Sequence, residues 1–556
     1  MTRKLTALFL VVLLLTSFAG CNDTNTDAPP PSSSSEGNSS NDQGNQENQE
    51  NTEVTKELTM GIIDKKVALD KTVVGALEPA FITEMVYEGL IYVDPNTGEY
   101  IPKLAESFEM SDDHLTVTWH LRKGVKWHDG TDFTVNDVLY SFKRCLDPMV
   151  GSRFVTDFLR IVGATEFVEG TTDELAGFEI LDDYTFTTTI DEGYPWIIDS
   201  LGGMPIYPEK ACSEAEANKQ WGYSVMVGTG PYMLEELDVD TGCTLVINPD
   251  YYGDIPEIER LYFKYYTDTT TMMLEYELGM LDTVTIDGAT ALTYLEEPEF
   301  ADQVQVVPYA SMNYLVFNTT IAPFNNDAVR EAFAYGVDIE GIVAVNNGQV
   351  EPANDFIHPM LRGHDADRPI QEYNPEKALQ ILEEAGISTP VKVELWVSGT
   401  ESATMLALQA GVNKAGFDLQ LIQMEKQVLD AEAQAGKAQM QIYNNNVNST
   451  ECGTLLNNRV NTSTGSALWN GDPNGDFQLF AETIGKSRVT FDIDERTALV
   501  REAADIALDN YWTVPINYPK SYCMNRPYVE NLVYLYGRPK FLEADIDMSA
   551  KLEAVK

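Results

Sequence analysis

"LRKGVKWHDGTDFTVNDVLYS", residues 121–141, decides how the rest of the chain is read. Just ahead of it, Leu115, Val117, Trp119 and Leu121 alternate with Thr116, Thr118, His120 and Arg122. That period of two is a strand with one buried face. Asp129-Gly130 follows as a tight turn, since glycine takes the positive φ such turns demand. Thr134, with Asp137 three residues on, has the spacing of a capping box. A helix is therefore predicted to open there, with Val138 and Phe142 on its inner face.

Strand and helix keep alternating outward from this stretch. Tyr314 to Phe317 reads as a strand, followed by a helical stripe of Val329, Ala332, Phe333 and Val337. Asn374-Pro375 read as N-cap and first helical residue, Ala378, Leu379, Leu382 and Ala385 as the buried stripe, and Gly386 as the stop. A strand from Val391 to Val397 comes next. From Leu58 onward the pattern predicts α/β lobes.

The chain has 556 residues, a length that suggests about three to four domain-sized units. At 44% hydrophobic it can bury large cores. The formal net charge of −50 repels phosphate backbones and anionic lipid, which argues against nucleic acid as a partner. The charge serves either solubility in a salty or acidic niche or attraction of cationic ligands. Six cysteines include no CxxC pair, so neither a zinc ribbon nor a thioredoxin-type site is suggested. One disulfide at most is expected among Cys145, Cys212, Cys243, Cys452 and Cys523, with free buried thiols as the default.

The first residues read as an address. Arg3-Lys4 precede an apolar run from Leu5 to Leu15, too short for a stable membrane span, so residues 1–20 read as a secretory signal. Ala19-Gly20-Cys21 resembles a bacterial lipobox, in which Cys21 is diacylated and becomes the first residue; Phe18 departs from the usual aliphatic residue. Two acyl chains suffice for stable anchoring. Residues 21–55 are too polar to fold and read as a tether. A flexible coil of that length spans on the order of 30–35 Å.

The search for chemistry finds little. HExxH, GxSxG and P-loop patterns are missing from the sequence. Gly228-Thr229-Gly230-Pro231-Tyr232 lacks the third glycine of a dinucleotide fingerprint and reads as a rigid turn into a strand. His114 and His120 lie roughly 20 Å apart if extended and cannot share a metal without a bend. His358 and His364, near Asp365 and Asp367, are either a metal site or a polar loop. No nucleophile with a base is nominated, so no enzyme and no cofactor is expected.

A larger set of residues resembles one family. It comprises Tyr87-Glu88-Gly89-Leu90, Ile101 to Ser107, Leu121 to Gly130, Phe133 to Ser141, Gly228 to Tyr232, Asn248 to Tyr252, Phe317-Asn318, Ala328 to Ala332 and Tyr373 to Ala378. In this order they are similar to the extracellular solute-binding proteins of ABC importers that take oligopeptides, dipeptides and nickel. The resemblance runs from about Leu58 to the C-terminus. It implies a two-lobed α/β fold like that of class II periplasmic binding proteins, with an additional inserted domain and a hinge between lobes. Lobe I would hold 56–96, 205–309 and 516–556, domain II 97–204 and lobe III 310–515. The crossings would lie near Val307-Pro308 and Val514-Pro515. A monomer held at the outer face of the cell membrane by its lipid alone would capture solute between the lobes and pass it to a permease driven by an ATPase.

The resemblance also suggests where ligand sits. Gly75-Ala76-Leu77 match a stretch that binds a peptide by its backbone, or form a plain connecting loop. Phe154 is either a ligand-contacting aromatic or core. Peptide receptors of this family usually carry Trp-x-x-Asp-Tyr in lobe III, where the aspartate accepts the peptide's α-amino group. This chain has Tyr443-Asn444-Asn445-Asn446-Val447-Asn448 instead. Tyr443 would be an aromatic wall, and Asn444, Asn445, Asn446 and Asn448 uncharged partners, unless the stretch is a solvated loop. The expected ligand is an extended polar solute, oligopeptide first. A carbohydrate or other uncharged polar solute, nickel or haem are the alternatives.

Overall fold

The computed structural model describes residues 55–63, 68–94, 98–399, 402–446, 456, 469 and 475–554. The signal, most of the tether, Cys21, Asn448, Cys452 and the side chain of Asn446 lie outside the described residues.

Three sheets organise the chain. The largest has seven strands, in the order Val304–Val307, Ser521–Asn525, Thr283–Ile286, Glu57–Ile63, Arg260–Tyr266, Gly242–Ile247 and Tyr232–Asp238. Glu57–Ile63 lies inside it and runs parallel to both neighbours, with Leu58, Met60 and Ile62 buried. The second sheet has six strands, in the order Val350–Pro352, Thr513–Pro519, Ser311–Phe317, Met440–Asn446, Val391–Ser398 and Phe417–Met424. The third has four antiparallel strands, in the order Ala105–Met110, Thr116–Leu121, Thr185–Thr189 and Phe178–Asp182. Its hydrophobic core draws on Leu90 to Ile206, slightly wider than the expected 97–204.

Local signals translate directly. Val117, Trp119 and Leu121 are buried, while Leu115 falls just outside the strand and is only partly buried. The helix Val135–Leu146 opens on a capping box: Thr134 N donates to Asp137 Oδ2 at 3.0 Å, and Asn136 N donates to Thr134 Oγ1 at 3.3 Å. Val138 and Phe142 are fully buried. In the helix Pro375–Glu384, Asn374 Oδ1 accepts from Lys377 N at 3.0 Å. There the expected stripe needs correction. Ala378 and Leu382 are buried, with Ile381 packed beside them, but Leu379 and Ala385 are exposed. Leu379 is one residue, or 100°, off the buried line, and Ala385 already caps the helix.

The chain passes between the two large sheets twice. Residues 308–310 separate Val304–Val307 from Ser311–Phe317. On the return only Lys520 separates Thr513–Pro519 from Ser521–Asn525. This corrects the expected crossing at Val514-Pro515: those residues pair with Ser311–Phe317 inside the six-stranded sheet.

Two buried polar clusters join the four-stranded unit to the seven-stranded body. Glu88 accepts from Tyr251 OH at 2.9 Å and Thr229 Oγ1 at 3.1 Å, with Lys103 Nζ at 3.4 Å. A Cβ on Gly89 would lie 2.5 Å from Gly202 O, and one on Gly230 would lie 2.3 Å from Met85 O. Gly228-Thr229-Gly230 is thus a close-packed turn into the strand Tyr232–Asp238. His128 sits across it: Nδ1 accepts from Gly228 N at 3.2 Å and Nε2 lies 3.0 Å from Gly230 O. Burial pulls that imidazole down to about 4, so it stays neutral.

The second cluster centres on Arg144. It donates to Asp70 Oδ2 at 2.6 Å and, through Nε, to Glu216 Oε1 at 2.8 Å, while Tyr207 OH donates to Asp70 Oδ1 at 3.1 Å. The side chains of Arg144 and Asp70 are 5% and 7% exposed. Among the described residues Cys145, Cys212, Cys243 and Cys523 are free and buried, and burial pushes each thiol up to about 12. No helix among them is long and apolar enough to cross a membrane. Arg144→Met should lower the unfolding free energy by about 3–5 kcal/mol in a urea titration, because it strands a buried carboxylate.

Candidate functional site

Polar groups flank the crossing on both sides. On the six-stranded side, Ser311–Phe317 pairs with Met440–Asn446 on one edge and Thr513–Pro519 on the other. Asn444, Asn313 and Asn517 fall in register across the three strands. Asn444 Nδ2 donates to Asn313 Oδ1 at 2.9 Å and Ser311 Oγ at 3.0 Å, and Asn313 Nδ2 donates to Asn517 Oδ1 at 2.9 Å. Asn517 is fully buried, yet its Nδ2 has no hydrogen-bond partner among the described residues. This amide row starts beside the crossing, since Ser311 opens its strand and Pro519 closes the other.

The asparagines are therefore strand rungs as far as Asn446, and not a solvated loop. Asn444 is exposed and lies on the face of Asn313 and Asn517. Tyr443 and Asn445 point to the opposite face. There Asn445 Nδ2 donates to Tyr314 OH at 2.8 Å, and the Tyr443 ring stacks on Tyr314 with centroids 5.9 Å apart.

On the seven-stranded side, Ala76 precedes the helix Leu77–Val86 as its N-cap, without a side-chain cap. Leu77 lies near Gly537, whose φ of 77° suits glycine and whose N donates to Pro308 O at 2.8 Å. Tyr309 packs on the same glycine. This corner is tied to the first crossing.

Arg153 draws the other expected residues together. Its backbone N donates to Thr72 O at 3.0 Å, and its guanidinium lies 4.9 Å over the Phe154 ring. The same guanidinium stands 3.1 Å from where a Cβ on Gly75 would be. Gly75 is exposed and Phe154 half-buried against the core of the four-stranded unit. Lys71, Arg538 and Lys540 complete a cluster of cations around Glu84. Arg538 is ion-paired to Glu84, and Lys540 Nζ lies 3.4 Å from it. Burial pulls Lys71 down, against Glu84 and with the help of Arg538, Lys540 and Arg153. Arg153 is lowered too, by burial first and Arg538 second.

Lys71, Arg153, Arg538, Asn313 and Asn517 escape sequence reasoning. One signal was available: with 37 bases against 87 acids, the Arg538-Pro539-Lys540 triplet is unusual. The histidine candidates serve structure instead. His358 Nδ1 accepts from Met360 N at 3.1 Å, and His364 Nδ1 lies 2.7 Å from Ile357 O. Among the described residues no group of three or more His, Cys, Asp or Glu is placed to hold a metal.

Glu84 supplies a measurable quantity. Burial pushes its carboxyl up, but Lys71, Lys540 and Arg538 outweigh this and hold it at about 2. Its contribution to stability is full above the ordinary carboxyl range and is lost as pH falls towards 2. Glu84→Gln should cost on the order of 3 kcal/mol near neutral pH and flatten the loss of stability between about pH 5 and 2, measured by urea unfolding across that range.

Comparison with known proteins gives a consistent answer. The family described as bacterial extracellular solute-binding proteins, family 5 Middle, matches residues 99–466, more than half of the chain. Heme-binding protein A of Haemophilus influenzae is 31% identical over 329 residues, 57% of this chain and 59% of that protein, so less than two thirds of the relative is matched. The periplasmic oligopeptide-binding protein OppA of Escherichia coli is 27% identical over 83% of this chain and 87% of its own. Among solved structures, NikA from Brucella suis in complex with Fe(III)-EDTA superposes with a TM-score of 0.77 at 19% identity, covering 88% of this chain and all of that one.

Proposed function

Because the chain belongs to the bacterial extracellular solute-binding proteins of family 5, we propose that it is the receptor of an ABC importer, closing on an extended polar solute at the junction of its two large sheets. Oligopeptide is the solute we favour. One observation carries the reading. The chain passes between the two sheets at 308–310 and at Lys520, and the amide row and the cation cluster both adjoin those crossings. Two short crossings suit hinge closure over a solute. The relatives are named for haem, oligopeptide and a metal chelate, so the family's name leaves the solute open. The exposed Asn444, on a row of uncharged donors and acceptors, favours amides over metal. Lobe I would be the seven-stranded body, domain II the four-stranded unit and lobe III the six-stranded body. The receptor would act with a permease and its ATPase.

Where many peptide receptors place an aspartate, this row offers asparagine, so the ligand's amino terminus gains no ion pair there. Calorimetry with oligopeptides and their N-acetylated forms should give affinities within about threefold, against the tenfold or more that loss of a charged hydrogen bond would cost. A large loss on acetylation would show that another carboxylate holds the amine.

Cys21 we read as the lipid attachment. Cells fed a labelled fatty acid should label the wild-type chain, and Cys21→Ser should abolish the label and release the protein from the membrane fraction. Labelling that survives the substitution would overturn this.

A further inference from the structure

The overall charge hides a local reversal. At −50 the long-range field favours cations. Salt screens that field within about 8–10 Å, so a bound group responds to its immediate neighbours. At the Gly75 corner those neighbours are four cations, Lys71, Arg153, Arg538 and Lys540, around one carboxylate, Glu84. Glu78, acting on Tyr309, and Asp94, acting on Tyr92, are further carboxylates near Arg538.

Arg538 and Lys540 share Glu84. Lys71 and Arg153 have no ion pair among the described residues. Lys71 is half-buried. Arg153 is exposed, with its guanidinium over the Phe154 ring and against Gly75. Arg538 adds a buried Nε without a hydrogen-bond partner. Gathering like charges destabilises the empty protein, and an anion would offset that. A carboxylate matches the planar fork of arginine, with lysine as a second point charge.

We infer that Lys71 and Arg153, with Arg538 alongside, hold a carboxylate of the bound solute at the corner made by Gly75 and Phe154. This rests on the solute-receptor reading and adds an anchor and a polarity to it. The acid end lies by the seven-stranded body and the amino end by the amide row.

The test has two arms. Purified wild-type protein and the Arg153→Gln, Lys71→Met double variant are equilibrated with a random tetrapeptide library, half free acids and half C-terminal amides. The retained species are counted by mass spectrometry. The wild type should prefer acids by about tenfold or more, and the variant should show no preference. The second arm needs no peptide. Thermal midpoints are compared in acetate, phosphate and chloride at equal ionic strength, with acetate expected to raise the wild type and not the variant.

Peptides retained without acid preference would overturn the carboxylate site and leave the receptor standing. Retention of no peptide, with acetate stabilising only the wild type, would reject peptide and keep the site. Stabilisation by phosphate alone would replace carboxylate with phosphate and overturn the proposal as stated. Equal responses of wild type and variant would overturn it outright.

Discussion

The architecture depends on one buried carboxylate. Glu88 lies where the chain leaves the seven-stranded body for the four-stranded unit, and Ile206 N returns to its carbonyl at 2.9 Å. A charge that is 7% exposed survives only if its lone pairs are met, and Tyr251, Thr229 and Lys103 meet them. Each donor comes from a different segment. The carboxylate therefore sets where exit, return and the strand-opening turn must converge. Gly89, Gly228 and Gly230 are the steric side of that demand, because a side chain at any of them would collide with backbone.

With that junction held, the groups proposed to face ligand fall on either side of the sheet crossing. Arg153 reaches Gly75 only because the four-stranded unit is seated firmly, through Glu88 at one point and the Asp70–Arg144 pair at another. In the proposed receptor, stability and binding would be served by neighbouring residues of opposite character. Arg144 is buried and ion-paired to Asp70 and Glu216. Arg153, a few residues along the same segment, stacks on an aromatic ring and keeps its charge available.

Much of the fold was legible because its signals are local. Period-two alternation, a Thr-x-x-Asp cap and an Asn-Pro helix start each act within one turn or one strand. The family motifs were legible as well, and nearly all of them are scaffold: Glu88, Lys103, His128, Thr229 and Tyr251 hold the junction and leave the ligand unnamed. The return crossing expected at Val514-Pro515 rests on the family resemblance and not on a local signal. In fact the pairing with Ser311–Phe317 shifts register there, passing over Ile516, and the strand absorbs the missing N–H and continues to Pro519. The site was half legible. Asn444 stands out as polar, but its partners Asn313 and Asn517 depend on strand register across distant segments. The cation cluster draws on three separate stretches, and no periodicity in sequence predicts such a meeting.

The return through Lys520 has a mechanical consequence. Its backbone N donates to Gln349 O at 2.9 Å, and strands begin on either side of it. A connection that short works as a pin. In the proposed closure it would let the two bodies swing but give no slack for one to slide along the other. Points near the pin then travel little and points at the rim travel far. The amide row, close to the pin, would meet its solute with almost unchanged geometry at every angle of opening, while groups farther out would decide whether the jaws can shut.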